Sequence, residues 1–110
     1  MNIETKTIGQ VTVVQLEGDV DGNTAPEAQA KIVPLASPGC KMVLDMSKVS
    51  YMSSAGLRLL LVTYRTIKGQ GGEVVLVGLS PELSDTMSMT GFLDFFEHHE
   101  TLDAGLAALA

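Results

Sequence analysis

Two adjacent hydroxyls, Ser53 and Ser54, stand where an apolar helical run begins, inside the stretch Val43–Leu61 (VLDMSKVSYMSSAGLRLLL). Just upstream, a short apolar strand candidate runs into Asp45, and a connector of mixed polarity follows. A serine at a helix start can cap it, because its oxygen accepts a first-turn N–H that has no partner inside the helix. The same place suits an anion, since those N–H groups and the helix dipole both favour negative charge. A hydroxyl here is a structural cap, a phosphate acceptor, or both.

Three aspartates are expected near that helix start: Asp19 and Asp21 in the loop Gly18–Asn23, and Asp45 at a strand end. Carboxylates that accept backbone N–H bonds are ordinary loop anchors, and this role is favoured for Asp45. Asp21 is open between this anchor role and a functional one, orienting a hydroxyl or holding a metal bound to an incoming nucleotide. Other chemistry finds little support. His98 and His99 lie in the acidic segment Phe95–Glu100, with no cysteine nearby and no HxxxH spacing, so they read as a solvated edge. Cys40 has no CxxC partner and reads as inert. Met42 and Met46 are assigned to the core or its margin, Met87 and Met89 to a partner-facing surface. There is no GxGxxG and no GxxxxGK[ST], and nothing in the spacing suggests a Ser-His-Asp triad. Neither a cofactor nor a metal is expected.

The elements that must position these residues can be read from punctuation and periodicity. Ile3–Thr7 and Val11–Glu17 are strand candidates joined by a Gly9-Gln10 turn. Alternation in the second puts apolar residues on both faces, so both are expected to be covered. A helix over Ala25–Ala36 is capped by Asn23 or Thr24, with Pro26 at an early position and Pro34 making its end irregular. Lys41–Asp45 is a third strand. A helix from Ser54 to Lys68 carries Leu57, Leu60, Leu61, Tyr64 and Ile67 on one face. Glu73–Val77 is a central strand, Pro81–Thr90 a helix opened by Ser80, Phe95–His98 a short edge strand, and Thr101 caps a last helix to Leu109. Right-handed crossovers between parallel strands then give one α/β domain over residues 1–110, with a mixed four- to five-stranded sheet, an antiparallel edge hairpin and about four helices mainly on one face. Loops at the carboxyl ends of the strands gather where such folds place their ligands.

Composition narrows the partners. The chain has 110 residues, 45% of them hydrophobic, with no run long enough to span a bilayer. A single cysteine and the absence of a secretion signal fit a cytoplasmic protein. A net charge of -6 offers no basic stripe for nucleic acid and favours encounter with a positively charged protein surface. A domain with this core can stand as a monomer.

The pattern Gly18-Asp19-Val20-Asp21, Val43-Leu44-Asp45 and Tyr51-Met52-Ser53-Ser54-Ala55-Gly56-Leu57 resembles the STAS domain of bacterial anti-sigma factor antagonists. The likeness continues through Gly71-Gly72-Glu73-Val74, Leu79-Ser80-Pro81 and Thr90-Gly91-Phe92-Leu93. It implies that Ser54, two residues before Gly56-Leu57, is the phosphoacceptor. Ser53 stands where many members carry aspartate, which removes a negative neighbour and makes it the alternative acceptor. The resemblance further implies a non-enzymatic partner switch: binding to an anti-sigma factor with GHKL-type serine kinase activity, release on phosphorylation, and reversal by a PP2C-type phosphatase. Asp21 and Asp45 would lie near the kinase nucleotide. Asp19, Asp21, Asn23, Ser53, Ser54, Ala55, Arg58, Met87 and Met89 would meet the partner. The competing readings are a free-standing STAS subunit that regulates a membrane lipid transporter and, ranked last, an enzyme using Asp21 or Asp45 as a base on a nucleotide phosphate.

Overall fold

Strands form where the chain alternates or runs apolar, and helices where serine, threonine or proline opens an amphipathic stretch. The computed structural model describes residues 1–110. Its strands are β1 (Asn2–Ile8), β2 (Val11–Glu17), β3 (Lys41–Lys48), β4 (Glu73–Val77) and β5 (Glu97–His99). Its helices are α1 (Ala25–Ile32), α2 (Ser54–Gly69), α3 (Pro81–Met89) and α4 (Leu102–Leu109). Pro26 enters α1 in its first turn, and Pro34 converts the end of that helix into a 3₁₀ turn over Val33–Leu35. Ser80 and Thr101 cap α3 and α4 by accepting the N–H groups of Leu83 and Ala104, each at 3.1 Å.

The five strands lie in the order β1-β2-β3-β4-β5, with β1 antiparallel to β2 and every other pair parallel. Parallel pairing sends the ends of β2, β3 and β4 to one edge of the sheet, where the loops into α1, α2 and α3 meet. Helices α1, α2 and α3 cover one face, burying Ala28, Ile32, Leu59, Leu60, Leu83 and Met87 against Val14, Leu16, Leu44, Met46 and Leu76. Helix α4 alone covers part of the other face, over Val43, Val75 and Val77. It lies so close that a Cβ on Gly105 would come within 2.5 Å of Val77 Cγ1.

Three expectations from sequence are corrected. β3 continues to Lys48 rather than stopping at Asp45. β5 begins at Glu97, because Phe92–Phe95 forms a 3₁₀ turn and leaves too little chain for a strand from Phe95. Met87 is not partner-facing: it is 0% exposed within the large core, whereas Met89 is 87% exposed. Residues two apart on a helix point to nearly opposite sides, and Leu83, one turn before Met87, already faces the sheet. Met87→Ala is therefore expected to cost about 2–5 kcal/mol in urea unfolding, and Met89→Ala to stay within about 0.5 kcal/mol.

Candidate functional site: the loop edge at the start of α2

The loop after β2 and the connector after β3 are stitched together by main chain. The Val20 N–H donates to Tyr51 O and the Ser53 N–H to Val20 O, both at 2.9 Å, forming an isolated parallel bridge between Val20 and Met52. The Gly18 N–H donates to Lys48 O at 3.1 Å, and Ser50 Oγ donates to Asp19 Oδ1 at 3.0 Å. This short ladder fixes the residue before α2, so the helix starts at a defined place.

The two serines divide the work there. Ser53 is extended and half-buried, and its Oγ accepts the Ala55 N–H at 3.2 Å, which makes it the cap. Ser54 is the first helical residue, exposed, and its hydroxyl makes no hydrogen bond to the chain. The Leu57 N–H is bonded to Ser53 O, while those of Ser54 and Gly56 have no acceptor in the protein. Free donors and the dipole therefore leave a favourable field for negative charge beside an accessible hydroxyl. Gly56 makes the approach possible: a Cβ there would strike Met52 Cγ and lie 2.9 Å from Val20 O.

Asp21 shapes the neighbouring loop. Its Oδ1 accepts the N–H groups of Asn23 and Thr24 at 2.9 and 3.1 Å, and the Thr24 hydroxyl donates to Asp19 O at 2.8 Å. Thr24 precedes α1 but does not cap it with its side chain, because its hydroxyl is turned back into the loop. The bonds from Asn23 and then Thr24 hold the Asp21 carboxyl below its ordinary value of 3.8.

A STAS-domain family model matches residues 2–105. The chain belongs to the STAS-domain family. Among its relatives, the anti-sigma-B factor antagonist of Bacillus subtilis (strain 168) is 31% identical over 106 residues, covering 96% of this chain and 97% of the relative. An anti-sigma factor antagonist from Mycobacterium paratuberculosis superposes with a TM-score of 0.83 at 29% identity, covering 98% of this chain and 92% of that one. The Bacillus cell fate determinant SpoIIAA, solved in its phosphorylated form, has the same fold with a TM-score of 0.75 at 19% identity, covering 99% of this chain and all of its own.

In this STAS domain Asp19, Asp21, Asn23, Ser53 and Ser54 come together at the stitched edge. Ala55 and Arg58 continue the surface one turn along α2, lining an open groove of about 600 Å³ against Ala25, Pro26 and Gln29 of α1. Asp45 does not join them. Strand alternation puts it with Val43 on the face away from α2, 8% exposed, where it accepts the Ser47 N–H at 3.0 Å and the Gln15 amide at 3.3 Å. Its expected anchor role holds; a place beside the Ser54 hydroxyl does not. Met89 ends α3 about 12 Å of helix rise from Pro81, whereas Ser80 and Glu82 border the β3 connector. Asp21 Oδ1 anchors its own loop through the N–H groups of Asn23 and Thr24, and no three His, Cys, Asp or Glu side chains gather as a metal group. No helix is long and apolar enough to cross a membrane.

Sequence reasoning passed over Tyr51, which is 54% exposed on the connector and carries its largest apolar surface. An aromatic beside Ser50 in the connector, outside both strand and helix, is the available signal. The depressed Asp21 value also has a pH consequence. Its stabilising contribution is complete above the ordinary carboxyl value and is lost as pH falls through the lowered folded value. Asp21→Asn should flatten this part of the acid limb in urea melts taken across that range; an unchanged limb would mean that the loop bonds do not favour the charged form.

Proposed function

We propose that this STAS domain is an anti-sigma factor antagonist that acts as a phosphorylation-controlled partner switch, with Ser54 as its acceptor. The observation that carries this reading is the division between the serines: Ser53 is engaged as the cap, while Ser54 is exposed and unbonded beside it. The antagonist names of relatives covering nearly the whole chain support the role, and the solved phosphorylated form of a protein sharing the fold supports the chemistry.

The unmodified edge docks on an anti-sigma factor that is also a GHKL-type serine kinase. The kinase moves the γ-phosphoryl of ATP to Ser54 Oγ: the Oγ–P bond forms, the bond from phosphorus to the ADP oxygen breaks, and the hydroxyl proton is released. A PP2C-type phosphatase hydrolyses the ester to restore serine. The added group carries about -1.5 to -2 charges. Within the domain the helix start accommodates it, and because the cap belongs to Ser53, the fold loses no bond. Under a docked partner the same dianion loses its water and binding falls.

The test is phosphorylation by the partner kinase, read by mass spectrometry. Trypsin releases Val49–Arg58, which also holds Ser50, Tyr51 and Ser53, so fragment ions must place the group. One phosphate on Ser54, absent from Ser54→Ala, is expected. Stoichiometric phosphate on Ser53 or elsewhere would overturn the assignment.

A further inference from the structure

We infer that phosphate on Ser54 is held within the chain by Arg58, one turn further along α2, so that modification also withdraws a cation from the docking face. This deepens the proposed role and rests on Ser54 as acceptor. Residues four apart on a helix are neighbours, and the Cα–Cβ bond of the later one leans toward the helix start. The turn that begins with Ser54 is therefore within reach of the Arg58 side chain. An anion placed N-terminal to a cation at this spacing is the better of the two orientations. A guanidinium matches phosphate oxygens with two parallel N–H donors.

The Arg58 guanidinium is uncommitted. The ion pairs of the domain are Glu27–Lys31, Lys68–Glu73 and Glu97–His99, and Arg58 is in none of them. Its neighbours three and four residues away on α2 are Ala55, Leu61, Ser54 and Val62, which include no carboxylate. Across the groove it faces Pro26, Gln29 and Ala30 of α1, again without an acid. Of the 7 basic residues, only Lys31 and Lys68 are in ion pairs, and among the other five Arg58 is the one at helical neighbour spacing from the Ser54 hydroxyl. Phosphoserine at position 54 would be the first anion at helical neighbour spacing from it.

The experiment installs phosphoserine at position 54 during translation, so no kinase is needed, and titrates the phosphate by ³¹P NMR. Arg58→Gln is expected to raise the second phosphate pKa by about half a unit, a roughly threefold change in its proton affinity, and Arg58→Lys to restore part of it. Arg58 is exposed, and matching circular dichroism spectra confirm that the variants stay folded. Equal titration curves for the wild-type background and Arg58→Gln would overturn the inference. That result would leave the proposed function standing if the kinase still modifies Ser54. Conversely, a kinase that ignores Ser54 would sink the proposed function even if the installed phosphate titrates as expected.

Discussion

Ser54→Asp is expected to weaken binding to the proposed partner kinase by about a hundredfold or more, with almost no change in unfolding stability. The binding loss follows from burying a charge under the partner: a penalty of about 3 kcal/mol exceeds a hundredfold in affinity. The preserved stability follows from geometry, because the side chain is exposed, bonded to nothing, and sits where a helix start favours an acid. Calorimetric titration against the kinase, paired with thermal melts, checks both halves. Unchanged affinity would remove the electrostatic basis of the switch. A large drop in melting temperature would attribute any lost binding to damage of the fold. Ser54→Ala separates the two effects, since it should keep binding and refuse phosphate.

Gly56→Ala carries the second large effect, and its sign opposes helix propensity. Alanine is the better helix former by about 1 kcal/mol. Here its methyl would meet Met52 Cγ and the Val20 carbonyl at 2.9 Å, the same carbonyl that receives the Ser53 N–H. Overpacking of this kind costs about 1–3 kcal/mol, so net destabilisation is expected in denaturant unfolding. Relief of the clash must also push apart the two loops that set Ser53 and Ser54, so partner affinity should fall with stability. Gain of stability would mean that α2 can retreat from Val20 at little cost.

Much of this architecture is legible in local chemistry. Pro26, Pro34, Ser80 and Thr101 mark helix boundaries through effects that act within one turn, and the structure keeps each of them. Alternation in Val11–Glu17 shows a strand covered on both faces, which becomes two separate apolar layers. The candidate site was harder to read because its geometry depends on contacts between segments far apart in the chain. Nothing near Val20 announces that it bridges to Met52. Thr24 looks like a helix cap, yet its hydroxyl bonds back to Asp19 O. Asp45 and Met87 each carry a local signal of their true direction. The alternation Leu44-Asp45-Met46 places Asp45 opposite its apolar neighbours, and Leu83 four residues before Met87 gives the inward phase of α3.

The uneven layering of the sheet has a dynamic consequence. Six buried residues form the apolar layer shared with α4, against twenty on the side of the other helices. A thinner layer opens at lower free energy, so the amides of Leu102–Leu109 should exchange with solvent well before those of β3 or the middle of α2. Such breathing takes place behind the strands, on the face turned away from Ser54. A reporter group attached there would register local opening while leaving the edge that carries Ser54 in register.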